Sequence, residues 1–141
     1  MGPDPKAEAA RWFEQAEADF ETARRLAEIG IFYAACFFAQ QAAEKALKAA
    51  HFAAGARVVL GHSVGALARA TLPFAPSIAA LADTIERLDL FYIPTRYPNS
   101  LPESVPARVF KREDAATATD LAGRTLDAVR TWLASASLET P

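Results

Sequence analysis

Gly61-His62-Ser63-Val64-Gly65 is the stretch that most invites a chemical reading. It fits G-x-S-x-G, the sharp strand-to-helix turn that exposes a nucleophilic serine in α/β-hydrolases. A Val-Val-Leu run precedes it and an alanine-rich stretch follows. That fold places its catalytic histidine after the serine, and no histidine follows Ser63. The other one, His51, lies upstream. The chain also shows no strand–helix alternation for a parallel sheet. The serine-hydrolase reading therefore fails, and Ser63 is expected to cap a short helix. Metal chemistry fares no better: two histidines and one cysteine carry no zinc-type spacing, so no metal site is expected. There is no P-loop and no G-x-G-x-x-G, and nothing calls for a cofactor.

Two other groups can do chemistry. Gln41, Glu44, Lys45 and Lys48 recur at steps of three and four, so they share one face of a helix. They form either a solvated stripe with an internal Glu44–Lys48 pair or part of a binding face. The second group is Tyr92-Ile93-Pro94-Thr95-Arg96-Tyr97-Pro98-Asn99. A guanidinium such as Arg96 can clamp a phosphate through two parallel hydrogen bonds. Tyr92 and Tyr97 can stack on a base, as aromatics do in single-strand binders. Glu44, Lys45 and Lys48 are placed on the same cleft. The structural alternative has Arg96 pairing with Glu44 or Asp89 to hold the proline segment on the fold. In that alternative the tyrosines are packing residues, and His62 tethers the short helix.

The elements that must position these residues read as helices. The segment from about Lys6 to Ile29 has Trp12, Ala16, Phe20, Ala23 and Ala27 on one stripe. Gly30 turns the chain back into a central helix, Ile31 to Ala54, apolar all round at its start and ended by Gly55. Residues 56–60 read as extended or irregular. A short helix follows from Val64 to about Thr71, broken by Pro73 and Pro76. Ser77 is a candidate cap for a fourth helix with a stripe of Ile78, Leu81, Ile85, Leu88 and Tyr92. Prolines at 94, 98, 102 and 106 exclude a helix there and make a stiff extended segment. From 94 to 112, Arg96, Arg108, Lys111 and Arg112 stand against Glu103 alone, a basic patch in an acidic chain. The last helix, about 112–136, puts Ala118, Ala122, Leu126, Val129 and Leu133 on one face with Trp132 beside it. The whole is an all-α antiparallel bundle of about five helices, four longer and one short. Residues 1–5 are expected to be disordered, 6–137 to form one domain, and 138–141 to fray.

The totals agree. A chain of 141 residues is one domain, and 52% apolar with 23% charged is ordinary for a globular protein. A net charge of −2 argues against broad unspecific nucleic-acid binding. Cys36 has no partner in the chain and sits in an apolar run, as a small core residue would. With no membrane-length apolar run and no signal pattern in this sequence, the expectation is a cytoplasmic protein.

Gln40-Gln41-Ala42-Ala43-Glu44-Lys45-Ala46-Leu47-Lys48-Ala49, Gly61-His62-Ser63 and the Tyr92–Asn99 stretch, in this order behind a tryptophan helix, resemble the HEPN domain family. The resemblance runs from about Trp12 to Leu133. It implies a helical bundle that is often dimeric, and many such proteins are encoded beside a small nucleotidyltransferase-like protein as a toxin–antitoxin pair. Several are ribonucleases that use an arginine followed closely by a histidine. The arginine position resembles Arg96, but no histidine follows it, and Asn99 stands where this pattern usually has an aspartate. Arg57 and His62 have that spacing but lie after the central helix. The resemblance thus favours a nucleotide- or RNA-binding module over an enzyme, with a homodimer or a nucleotidyltransferase-like partner, and with Arg96, Tyr97, Asn99, Tyr92, Glu44, Lys45 and Lys48 as the binding set. One alternative is a metal-independent ribonuclease toxin in which Arg96 works with His62 or Tyr97. The other is a structural dimerisation module.

Overall fold

The structure, a computed structural model, describes residues 4–95, 97, 101 and 103–139. Asp4 opens the first helix, its carboxylate accepting the Lys6 N–H at 3.2 Å, with Pro5 at the first helical position. A proline there gives up no helical hydrogen bond. These two residues are therefore the start of α1 (Pro5–Glu28) and not a loose tail. Ala16 and Ala23 on its inner stripe are fully buried, and Phe20 and Ala27 pack on the core from the edge. Exposed pairs such as Arg25–Glu21 line its outer face, each adding roughly 0.3–0.5 kcal/mol.

Gly30, at φ +84°, makes the turn into α2 (Phe32–Ala53). Ala35, Ala39, Ala42, Ala43, Ala46 and Ala50 are fully buried along α2. Small side chains let its backbone approach its neighbours closely, and α1 and α7 (Arg112–Glu139) both pack along it. The expected face of α7 is the buried one, from Ala118 through Ala122 and Leu126 to Val129. Trp132 lies against Phe74 at 5.5 Å between ring centroids. Cys36 is buried in the core, as its neighbours in sequence imply.

Between α2 and α7 the chain is made of short pieces. They are α3 (Val64–Arg69), α4 (Pro76–Ala79), α5 (Ala82–Ile85), a 3-10 helix (Glu86–Phe91) and α6 (Pro106–Val109). The single fourth helix expected over 78–91 is thus split in three. Ile78, Ile85 and Leu88 of its stripe are still buried, so the apolar pattern held while the winding did not. Tertiary contacts account for the difference. In the observed winding the Glu86 Cβ packs where a Gly65 β-carbon would sit, Asp89 accepts the Val64 N–H at the start of α3, and Glu86 also meets Arg69 at 2.6 Å. Ser77 caps nothing: Pro76 is the first helical residue of α4, and Ala75 before it makes no side-chain bond. The architecture is an all-α bundle, with no strand among the described residues. Among those residues no helix is long and apolar enough to cross a membrane.

Candidate functional site

The G-x-S-x-G segment resolves into three structural jobs. Gly61 sits at φ +97°, a conformation that side chains resist. Ser63 caps α3: its Oγ accepts the Ala66 N–H at 3.0 Å and donates to Asp89 Oδ2 at 2.8 Å. A β-carbon on Gly65 would lie 2.7 Å from the Glu86 Cβ, so only glycine lets α3 and the 3-10 helix approach so closely. Asp89 completes the cap by accepting the N–H groups of Val64 (2.6 Å) and Gly65 (3.3 Å). Ser63 is committed to holding a helix, with no histidine on it.

His62, between those positions, is differently placed. Its Nδ1 is 3.3 Å from both oxygens of Glu44. The Glu44 side chain is only 6% exposed, and its Oε2 also meets the Lys48 ammonium at 3.2 Å, itself 9% exposed. Gln40, fully buried, donates its side-chain N–H to the His62 carbonyl at 3.0 Å and to Glu44 Oε1 at 3.3 Å. Gln41 donates to the Gln40 side-chain oxygen at 2.8 Å. The stripe on α2 is therefore no solvated face: its Glu44–Lys48 pair exists as expected, but buried. The ring of Trp12 helps cover it, with the Lys48 ammonium 5.7 Å from the ring centroid.

The other side of His62 is open. Its side chain is 58% exposed, and its ring stacks on Tyr92 with centroids 4.7 Å apart and planes 17° from parallel. His62, Ser63, Asp89 and Tyr92 line an open hollow of about 290 Å³. A second, more apolar hollow of about 310 Å³ continues past His62 to Leu60, Ala66, Leu67 and Ala70. A carboxylate on Nδ1 fixes the neutral ring as the Nδ1–H tautomer and leaves Nε2 as the ring's outward nitrogen. Nε2 takes no hydrogen bond among the described residues.

The remaining sequence-predicted residues divide. Lys45 does not join this group. It forms an ion pair with Asp19 of α1, a carboxylate that is itself buried and also accepts from Gln15. Lys45 lines another hollow, with Trp12, Gln15 and Arg11. Tyr97 is about half exposed, and its N–H donates to the Ile93 carbonyl at 3.3 Å. Arg96 and Asn99 lie outside the described residues. Glu44 and Asp89, the two carboxylates considered as partners for Arg96, carry the Lys48, His62 and α3 contacts just given. Thr95, buried next to Arg96 in the chain, donates its hydroxyl to the Phe91 carbonyl and fastens that point of the segment to the 3-10 helix.

Reasoning from sequence missed Gln40, Asp19, Asp89 as a cap, and Thr95. Gln40 offered a signal, a glutamine four residues before Glu44 on the same helical face. Asp19 and Thr95 offered none. Among the described residues no cluster of three metal-ligating side chains occurs.

A family model of the HEPN domain matches residues 9–132. This chain belongs to the HEPN family. Among solved structures, TT1696 from Thermus thermophilus is similar at 40% identity and a TM-score of 0.76, covering 89% of this chain and 98% of that one. ST0689, described as an archaeal HEPN homologue, is similar at 34% identity and a TM-score of 0.70, with the same coverage. None of the curated proteins matches. The HEPN fold here brings the α2 stripe, the Gly-His-Ser loop and Tyr92 to one place, although they lie far apart in the chain.

Proposed function

We propose that this HEPN chain is a binding module for a nucleotide or an RNA phosphate. The observation that carries the reading is the stacked His62–Tyr92 pair, held from behind by the buried Glu44–Lys48 pair and opening on a hollow. His62 is the exposed ring of the pair and Tyr92 is half-buried behind it; an aromatic platform accepts any base, and a neighbouring cation holds the phosphate. Arg96, four residues after Tyr92 in the chain, is the residue we propose as the phosphate clamp, because a guanidinium can hold a phosphate through two parallel hydrogen bonds. Family membership supports the further proposals. The protein works in the cytoplasm as a homodimer, and beside a nucleotidyltransferase-like partner in a toxin–antitoxin-type pair. The test is fluorescence anisotropy with a labelled single-stranded hexauridylate. Binding should weaken at least ~10-fold in Tyr92→Ala, as expected when one stacking platform is lost, and should vanish in Arg96→Ala. Equal affinity in both variants sinks the reading.

The fixed tautomer of His62 favours a second reading, a metal-independent ribonuclease. A neutral Nε2 can take the 2′-hydroxyl proton as the 2′-oxygen bonds to phosphorus and the P–O5′ bond breaks, the 5′-oxygen leaving with a proton from water, while Arg96 stabilises the charge on the phosphorane oxygens. Cleavage of RNA in EDTA that disappears in both His62→Gln and Arg96→Ala would establish it; an inactive folded protein leaves the binding module.

A further inference from the structure

Two hollows meet at His62. The first, with Ser63, Asp89 and Tyr92, opens on the stacked pair. The second, about 310 Å³, is close to it in size and shares His62 and Ser63 with it, but continues over Leu60, Ala66, Leu67 and Ala70. Those four side chains offer apolar contact and no hydrogen bond. The Ser63 hydroxyl is already spent on Asp89 and the Ala66 N–H, and His62 Nδ1 on Glu44. Leu60 is 82% exposed, more than any other large apolar side chain among the described residues. A lone exposed leucine is ordinary. This one stands in the wall of a hollow, directly before the turn at Gly61.

Such a lining suits a nucleobase. A base is flat, with apolar faces and a polar edge; an open apolar hollow takes the faces and leaves the edge in water. Successive bases of a stacked strand are only about 3.4 Å apart, so a strand with one base on the His62–Tyr92 platform brings its next base to the wall that the two hollows share. We propose that the apolar hollow is a second nucleobase subsite, so that the site takes a dinucleotide step. The second base is held by contact with Leu60, Ala66 and Ala70, and any base fits because every base has such a face. This rests on the nucleotide-binding reading above and adds to it a second base and the residues that hold it.

The experiment is displacement of labelled hexauridylate from the full chain, read by fluorescence anisotropy. The competitors are a uridylate dinucleotide and its two abasic forms, which lack one base or the other but carry the same phosphates. Each abasic form should compete at least ~5-fold less well than the intact dinucleotide, the loss expected for one base contact. In Leu60→Ser one of the two abasic forms should compete as well as the intact dinucleotide. Val58→Ser, a loop position 71% exposed that lines neither hollow, should keep the wild-type pattern. An abasic form that matches the intact dinucleotide on the wild type, or both losses kept in Leu60→Ser, overturns the proposal and leaves a one-base platform. Both losses kept in Leu60→Ser with a lower mass by light scattering assigns the hollow to a second copy and overturns it equally. No binding of hexauridylate, with the fold verified by circular dichroism, overturns both readings.

Discussion

Single residues show how far a side chain's surroundings govern its chemistry. Cys36 lies wholly inside the core, and burial, with a smaller push from Asp114, raises its thiol from 9.0 to about 12. A thiol so placed stays protonated and unreactive at neutral pH. The linkage has a definite sign. Above pH 9.0 the unfolded chain loses the Cys36 proton while the native chain keeps it, until about pH 12. The unfolded state then binds fewer protons, so stability falls as pH rises through that window, by up to ~1.4 kcal/mol per unit. Cys36→Ala should therefore lose less stability than the wild type between pH 9 and 11 in urea titrations. Parallel pH profiles for the two proteins would show that the thiol does not carry this term. His62 is the contrasting case: one nitrogen is fixed by a buried carboxylate while most of the ring remains in solvent.

At the scale of elements, the joint between α3 and the 3-10 helix is the most constrained point. Gly65 admits the Glu86 side chain, Arg69 reaches from α3 to Asp83 (2.7 Å) and Glu86 (2.6 Å), and Asp89 caps α3. The two acids raise the Arg69 guanidinium above its ordinary range, Asp83 most strongly, but the group is exposed and its pairs stabilise little. Packing sets the outcome here. Gly65→Ala gains helix propensity worth ~1 kcal/mol and still should lower stability, because a β-carbon 2.7 Å from the Glu86 Cβ forces the elements apart. A net loss of roughly 1–3 kcal/mol by urea denaturation is expected for such overpacking. A stabilised variant would mean that the joint yields easily. The same joint explains why a G-x-S-x-G pattern occurs in a protein without a nucleophilic serine: a positive φ, a helix cap and a close approach happen to fall at the three required spacings.

Across the whole molecule, the polar chain from half-buried Gln41 through buried Gln40, Glu44 and Lys48, with His62, ties α2 to the loop before α3, and through Tyr92 to the end of the 3-10 helix. Removing one partner leaves the other charge buried and unpaired, which costs ~3–5 kcal/mol. Glu44→Ala should fall in that range by urea denaturation. Glu44→Leu combined with Lys48→Met should cost much less, because no lone charge remains. Equal losses in the two variants would show that shape, not charge, governs this position. The sequence by itself determined the all-α class, both long leading helices, the inner faces of α1 and α7, the turn at Gly30 and the cap at Ser63. All of these follow from local periodicity and from residues that act on their own neighbourhood. Only the tertiary structure decided that the polar stripe of α2 is buried, that Lys45 leaves it for Asp19, that the expected fourth helix breaks into three, and that His62 stacks on Tyr92. These depend on pairings between residues far apart in the chain, such as His62 with Glu44 and Asp89 with Val64, and spacing along one helix carries no record of what a distant loop brings to its face.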